Sequence, residues 1–337
     1  MENLDLNNKE GNEILNSKKL ITVVVPMYYE ELVAKECYNQ LTEVLDNNSF
    51  DYEIIFVNDG SKDKTEEILS KIAENDPKVK VINFSRNFGH QTAVTAGIFN
   101  ATGDAIVIID ADLQDPPPVI LKMIQFWEKG YEVVYGRRKK RKGETIFKLL
   151  TAKYFYKFLN YMSDIEIPKD TGDFRLIDRK VAEVYKNMPE RNRFVRGMMS
   201  WIGFKQIAVE YERNVRFAGE TKYPIKKMIK FATDGIISFS TKPLKFVSLL
   251  GVFSILMSIG VFLYGLISKI LINNTISGWT SIITLIALFG GLQLMSLGII
   301  GEYIARIYDE CKNRPLYVIK STKNIETNEN FKSDIRW

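Results

Sequence analysis

The sequence contains few residues of the kinds that build disulfide frameworks, zinc sites or dinucleotide-binding loops. Only two cysteines, Cys37 and Cys311, occur among its 337 residues, and they lie far apart without a paired or metal-ligating spacing. A reduced domain that faces the cytosol is therefore expected. No Gly-x-Gly-x-x-Gly string follows the first predicted strand, which argues against a dinucleotide oxidoreductase.

The start of the chain also lacks an apolar segment ahead of the first predicted strand, so we expect no signal peptide. Residues 1–18 are polar and rich in asparagine, and we predict that they are disordered. The single histidine, His90, precedes a predicted helix. We interpret it as a surface or capping residue rather than a catalytic one.

Positive charge exceeds negative charge only modestly, with a formal net charge of +5. Part of the excess lies in the run 137–142, and part lies beside two long apolar segments. This distribution suits an anionic membrane surface better than a nucleic-acid groove. We therefore expect membrane lipids, and no nucleic acid, among the partners.

Residues 246–268 and 279–301 contain no charged side chain. Each run exceeds the roughly 20 helical residues that cross a hydrocarbon core. The connecting loop offers only Lys269, whereas several cations lie outside the runs: Lys226, Lys227, Lys230, Lys242, Lys245, Arg306, Lys312 and Arg314. The positive-inside rule predicts a transmembrane hairpin with both ends in the cytoplasm. The alternative, a buried hairpin of a soluble protein, is disfavoured by the length of the uncharged runs.

Short β-branched runs alternate with helical patterns in the first half of the chain, which predicts an α/β fold with a mainly parallel sheet covered on both faces. Ligands of such sheets bind at the carboxyl ends of the strands. Three polar loops follow predicted strands, at residues 26–30, 58–61 and 110–112. We expect a binding site where these loops meet.

Four strings occur in order along the chain: VVVPMYYEE, VNDGSKDKT, SRNFGHQTAVTAGIFNATGDAIVIIDADLQDPP and DTGDFRLIDR. They resemble the successive motifs of family-two inverting glycosyltransferases with the GT-A, Rossmann-like fold. A soluble domain followed by two spans is similar to the polyprenyl-phosphate glucosyltransferases and to dolichyl-phosphate mannose synthase. The resemblance covers residues 20–310.

This resemblance and the apolar pattern together divide the chain into five parts. A disordered tail (1–18) precedes a GT-A domain (19–222), a juxtamembrane amphipathic helix (223–245), two transmembrane helices (246–302) and a cytoplasmic C-terminal tail (303–337). An interfacial helix is expected at 144–162, where aromatic and apolar residues alternate with lysines. Ordinary core packing is the alternative for both amphipathic segments.

A nucleotide-sugar concentrates negative charge on its diphosphate as the sugar bond breaks. A divalent cation can neutralise this charge, and hard cations prefer carboxylate oxygens. Asp110 and Asp112, separated by the small Ala111, can supply them, with Gln114 or Asp115 nearby. The resemblance implies that the ion is Mg²⁺ or Mn²⁺.

The resemblance also assigns the nucleotide pocket. Pro26, Tyr28 and Glu30 correspond to the nucleobase pocket, and Asp59 to the residue that binds the uracil or the ribose. The alternative for Asp59 is a turn residue before Gly60. Ser85 and Arg86 follow the third predicted strand and are expected to border the nucleotide.

By the same resemblance the fourth string, DTGDFRLIDR, carries the acceptor side, and its Asp173, or Asp170 in its place, corresponds to the family's catalytic base. A phosphate monoester has a second pKa near 6, so it needs little deprotonation at pH 7. We therefore expect the aspartate to orient the reactants. Cationic side chains must bind the two anions, the donor diphosphate and the acceptor lipid phosphate. The candidates are Arg137, Arg138, Arg175, Arg196, Arg216 and Lys222.

The implied reaction is transfer of a sugar, with inversion, from a UDP-sugar to polyprenyl (undecaprenyl) phosphate at the cytoplasmic face of the plasma membrane. Glucose is favoured, and the product would serve glycosylation of cell-envelope polymers. A homo-oligomer through the transmembrane region is left open. A processive polysaccharide synthase should contain a Gln-x-x-Arg-Trp string, whereas Arg196 and Trp201 are separated here. A non-catalytic scaffold should have lost an acidic motif, and none is lost.

Overall fold

The computed structural model describes residues 18–46, 48–139, 171–214, 240–267, 270 and 278–325. These residues form two compact units: one contains the residues up to 139, from 171 to 214 and from 315 onward, and the other contains residues between 240 and 314. Three predicted segments lie wholly or mostly outside the described residues: residues 1–17 of the tail predicted at 1–18, the interfacial helix at 144–162, and residues 223–239 of the juxtamembrane segment at 223–245.

In the first unit the described strands form one sheet: β1 (Leu20–Met27), β2 (Asp51–Asn58), β3 (Val79–Phe84), β4 (Ala105–Ile108), β5 (Val133–Arg138), β6 (Thr171–Asp178), β7 (Gln206–Tyr211) and β8 (Ile319–Lys323). Their order across the sheet is β7-β5-β6-β4-β1-β2-β3-β8. Only β6 and β8 run antiparallel to their neighbours. The predicted mainly parallel sheet is confirmed.

Helices cover both faces of this sheet: α1 (Ala34–Leu45), α2 (Thr65–Asn75), α3 (His90–Asn100), α4 (Val119–Glu128), α5 (Arg179–Asn187) and α6 (Val195–Ile202). Buried side chains of α1, α2 and α4 share one core with Val23 and Val25 of β1. Val24 points to the other face, where α3 packs so closely that a Cβ on Gly97 would lie 2.1 Å from Val24 Cγ1. Because both faces are covered, the central strands β1 and β2 are buried from their second residue to their last.

The reversal of β6 is the feature that assembles the site. β6 pairs antiparallel with β4, with Ile108 opposite Arg175. Continuing this register by two residues brings Asp110, just after β4, opposite Asp173, near the start of β6. Two acidic motifs that are distant in sequence therefore meet at the edge of the sheet where the parallel strands end.

The second unit contains two long helices, α7 (Lys242–Ile267) and α8 (Trp279–Cys311). Each includes a stretch long and apolar enough to cross a membrane, Lys242–Tyr264 and Leu288–Cys311. The α8 helix continues ten residues beyond the predicted end of the second span, because a charged helical segment follows the apolar run without a breaking residue. Within this unit the Tyr303 hydroxyl donates a hydrogen bond to the Ser240 carbonyl.

The chain after α8 returns to the sheet. β8 pairs antiparallel with β3, with Ile82 opposite Thr322. Sequence analysis did not identify this strand and assigned residues 303–337 to a tail. The segment Ile319–Lys323 is short and polar, and it contains two lysines, which are common in edge strands because they discourage pairing with another chain. It therefore lacks the apolar pattern by which a strand is predicted.

Candidate active site

The carboxyl ends of β1 to β5 and the start of β6 lie at one edge of the sheet. The three polar loops expected to form a site, at residues 26–30, 58–61 and 110–112, all follow strands that end there. The sheet topology also adds two segments that sequence reasoning had treated separately, the loop 85–89 after β3 and the start of β6.

Asp110 has a carboxylate oxygen, Oδ1, that is buried and makes no hydrogen bond. Burial and the charges of Asp173, Asp115 and Asp112 raise the pKa of Asp110 to about 6, although His90 opposes this shift. Asp112 is partly buried, and its Oδ1 accepts a hydrogen bond from the Gln114 backbone. Asp110 shares the positive charge of His90 with Asp173, and its Oδ1 makes no hydrogen bond, so an added cation would stabilise its ionised form.

The donor set fits a divalent cation that draws part of its coordination from a substrate. In the described part of the chain, no three histidine, cysteine, aspartate or glutamate side chains are grouped closely enough to hold a metal alone. Mg²⁺ is commonly bound by one or two carboxylates together with substrate phosphates. Asp110 and Asp112 can provide such a pair. Asp115 is fully buried; its Oδ1 accepts a hydrogen bond from the Tyr211 hydroxyl, whereas its Oδ2 makes no hydrogen bond.

Asp173 is held by three side chains. Its Oδ1 accepts a hydrogen bond from Arg196 Nε at 2.7 Å, and its Oδ2 lies 3.0 Å from His90 Nε2 and 3.1 Å from Gln91 Nε2. Burial alone would raise the pKa of Asp173, but the charge of Arg196 and the contact with His90 hold this pKa well below its usual range. A carboxylate with so low a pKa is a weak base.

His90 belongs to this cluster. Its side chain is 42% exposed at the start of α3, which agrees with the predicted surface or capping position, and the prediction that it is not catalytic stays a prediction. Its Nε2 lies 3.0 Å from Asp173 and 3.6 Å from Asp110 Oδ1. Burial lowers the pKa of His90, but the hydrogen bond to Asp173 and the two carboxylate charges outweigh burial and raise the pKa to about 9. Its position at the first turn of α3, directly after the loop that follows β3, does not by itself distinguish a capping residue from a member of this cluster.

Asp59 is 2% exposed, and its carboxylate holds the loop that leads to His90. It accepts hydrogen bonds from the backbone amides of Phe88 and Gly89 and from the side chain of Asn87. Burial raises the pKa of Asp59, and the two backbone amides oppose that shift. In this structure Asp59 shapes the loop, and its contact with a nucleotide stays a prediction.

The other predicted nucleotide residues surround this loop. Pro26 is buried within β1, Tyr28 is 46% exposed and packs edge-on against Tyr29, and the Glu30 backbone amide donates to Thr65 Oγ1. Ser85 and Arg86 are exposed, and the Arg86 guanidinium lies 4.0 Å from the Phe88 ring centre. Ala111 and Gln114 are buried beside the acidic motif.

The predicted cations fall into different environments. Arg138 is 30% exposed and approaches Asp115, as does Arg213, while Arg137 pairs with Glu210 at the surface. Arg196 binds Asp173. Arg175 is 4% exposed, its guanidinium donates to the carbonyls of Gly172 and Asp173, and burial lowers its pKa to about 10.

Arg175 therefore braces the acidic segment from inside, and its burial argues against the predicted direct contact with phosphate. Arg138 and Arg196 keep an exposed fraction near the site edge. Asp170, Arg216 and Lys222 lie outside the described residues, so their predicted roles stay predictions.

This chain is similar to known glycosyltransferases in sequence. The family model described as "Glycosyl transferase family 2" matches residues 22–186. The uncharacterized glycosyltransferase YkcC of Bacillus subtilis is 58% identical over 90% of this chain and 94% of its own length. The bactoprenol glucosyl transferase of Shigella phage SfX is 42% identical over 90% of this chain and 99% of its own length.

Among solved structures, this chain is similar to glucosyl-3-phosphoglycerate synthase from Mycobacterium tuberculosis, in complex with Mn²⁺, UDP-glucose and phosphoglyceric acid. The TM-score is 0.42 at 15% sequence identity, with 65% of this chain and 78% of that chain covered.

Proposed function

Because this chain belongs to glycosyl transferase family 2 and is a hexosyltransferase with a GT-A fold, we propose that it transfers glucose from UDP-glucose to a polyprenyl phosphate, with inversion, at the cytoplasmic face of a membrane. The observation that carries this proposal is the meeting of Asp110 and Asp173 at one sheet edge, each within 3.6 Å of His90 Nε2. The names of the bactoprenol glucosyl transferase relatives support the lipid acceptor and the glucosyl donor.

On the donor side, Asp110 and Asp112 would hold a divalent cation, Mg²⁺ or Mn²⁺, and Oδ1 of Asp110 is free of hydrogen bonds for this purpose. When bound, such an ion supplies positive charge to the diphosphate leaving group. Tyr28 would stack on the base, and Arg86 would border the nucleotide. Asp59 would act on the same pocket through the loop that it anchors.

On the acceptor side, Asp173 would orient the reactants. The attacking atom is an oxygen of the lipid phosphate, whose second pKa near 6 leaves it mostly dianionic at pH 7. The low pKa of Asp173 supports a role other than proton removal. Arg138 would contribute to the attraction of the acceptor phosphate, and Arg196 would act by holding Asp173. The reaction is one displacement at the anomeric carbon, in which the phosphate oxygen bonds to the sugar as UDP leaves.

The membrane assignment rests on α7 and α8 and on the return of the chain to the sheet. If the two helices cross the membrane, the segments before and after them lie on the same side. This is consistent with β8, which follows α8 and pairs with β3 in the same sheet as the acidic motifs. The cation distribution supports the cytoplasmic side.

The proposal is tested with purified full-length protein in detergent, supplied with undecaprenyl phosphate, Mg²⁺ and a panel of nucleotide-sugars. We expect a lipid product whose mass equals the acceptor plus one hexose, formed fastest from UDP-glucose. An Asp112→Asn variant serves as the matched inactive control. Transfer to water or to a growing glycan, with no monoglycosylated lipid, would contradict the proposed acceptor.

A further inference from the structure

The two residues before β8, Tyr317 and Val318, contact the end of β3 and the loop that follows it. The Ser85 backbone amide donates to the Val318 carbonyl at 2.9 Å, so the first residue of the loop 85–89 is bonded to the chain that follows the second apolar helix. The Phe84 ring, at the end of β3, stacks on Tyr317 with centres 5.0 Å apart and planes 16° from parallel.

The stack continues through the loop to a predicted nucleotide residue. Phe88 packs edge-on against Phe84 at 5.6 Å, and the Arg86 guanidinium covers the Phe88 ring at 4.0 Å. Tyr317, Phe84, Phe88 and Arg86 therefore form one continuous packed series. The backbone of Arg86 also packs closely against Gly60, because a Cβ on Gly60 would lie 2.3 Å from the Arg86 carbonyl carbon.

A second connection passes through buried amides. The Asn83 side chain donates to Ser321 Oγ at 3.1 Å, and the Asn58 side chain donates to Asn83 Oδ1 at 2.9 Å. Asn58 Oδ1 in turn accepts from the Ser61 amide, and Ser61 Oγ accepts from the Tyr29 amide. This series joins β8 to the loops that carry Asp59 and Tyr28.

We propose that Tyr317 and Ser321 are positioning residues for the donor nucleotide, so that the chain leaving the second apolar helix completes the donor side of the site. This inference rests on the proposed function. Neither side chain would touch the reacting atoms. Tyr317 acts through Phe84 and Phe88 on Arg86, and Ser321 acts through Asn83 and Asn58 on the two preceding loops.

The kinetic test compares Tyr317→Ala with Tyr317→Phe, and Ser321→Ala with Ser321→Thr. Because the loops serve the donor, we expect each alanine variant to raise the KM for UDP-glucose by roughly three- to tenfold while leaving the KM for undecaprenyl phosphate within about twofold. Phenylalanine keeps the stacked ring and threonine keeps the hydroxyl, so both should restore the donor KM. Lys323→Ala, which removes only the surface pair with Glu74, is the control on the same strand.

A readout that needs no substrate separates this inference from the proposed function. Hydrogen exchange of the backbone amides of Phe88 and Gly89 should be faster in Tyr317→Ala than in wild type, and unchanged in Tyr317→Phe. If wild-type protein transferred no glucose, the proposed function would fail, and the exchange result would still decide the inference. Equal donor KM values in all variants, a matching rise in both KM values, or unchanged exchange would overturn it.

Discussion

Replacing Asp173 by asparagine distinguishes an orienting carboxylate from a catalytic base. The carboxylate accepts hydrogen bonds from Arg196, His90 and Gln91, and an asparagine at this position would offer them one oxygen and two unwanted donors. Removing one partner of a buried ion pair typically costs about 3–5 kcal/mol. Since the side chain of Arg196 is 24% exposed and that of His90 is 42% exposed, we expect a smaller loss of unfolding free energy, about 1–3 kcal/mol.

The pH dependence follows from the charge states. The pKa of Asp173 is held well below its usual range, so its contribution to stability is present above the unfolded pKa of about 4 and is lost only as the pH falls through the folded pKa. Between about pH 6.5 and 8 the carboxylate is fully ionised. The acceptor phosphate is about three-quarters dianionic at pH 6.5 and almost wholly so at pH 8. An orienting role therefore predicts a constant defect, roughly 10²-fold in rate.

The assay measures the rate of lipid glucosylation at saturating UDP-glucose across this pH range. Loss of Asp173 also removes the partner that raises the pKa of His90, so His90 could begin to titrate in the variant. The comparison is therefore repeated in a His90→Gln background, which removes the titrating imidazole from both members of the pair. We expect the ratio of parent to variant rates to stay within about twofold in this background.

A general base would produce a different result. Its contribution, typically about 10²- to 10⁴-fold, should shrink steadily as the acceptor ionises without help. A ratio that fell by about tenfold between pH 6.5 and 8 in the His90→Gln background would refute the orienting role and restore Asp173 as the base.

Three further predictions follow from the site and the hairpin. Asp110→Asn and Asp112→Asn should each remove most activity, and chelation of the metal should have the same effect. In EDTA at pH 7, Asp110→Asn should raise the melting temperature or leave it unchanged. The reason is that the pKa of Asp110, raised to about 6, makes its ionised form increasingly destabilising as the pH rises from about 4 to 6. A lower melting temperature would contradict this account. Reporter tags at both termini should read cytoplasmic and a tag within 273–277 external; an internal tag that read cytoplasmic would exclude the hairpin. Gly172→Ala should raise the KM for undecaprenyl phosphate roughly tenfold with little change in melting temperature, because its Cβ would lie 2.8 Å from Arg138 Nη2 and would displace the guanidinium. An unchanged KM would contradict the proposed contact between Arg138 and the acceptor.

Much of the architecture was predictable from local pattern. Three features can be read from consecutive residues: the β-branched runs of β1 to β4, the polar residues directly after them, and the uncharged runs of the two long helices. The proximity of Asp110 and Asp112 was predictable for the same reason, because residues two positions apart in the chain are close in space whatever the rest of the fold is.

Other features depend on which strands are neighbours. His90 has no local signal that separates a capping residue from an active-site residue, and its role emerges only because β4 and β6 bring Asp110 and Asp173 together around it. Arg175 and Arg196 are equally plausible phosphate ligands in the sequence, yet one is buried beneath the carboxylate and the other binds it from the surface side.

The sequence by itself therefore determined the first five strands with the helices between them, the acidic motifs and the two apolar segments, because periodicity and turn chemistry act over a few consecutive residues. Only the tertiary structure decided the partners of Asp173, the loop-anchoring contacts of Asp59 and the return of β8 to β3. Each of these joins residues far apart in the chain. The free energy of such contacts depends on burial and on the charges brought together by folding, and neither is present in the local sequence.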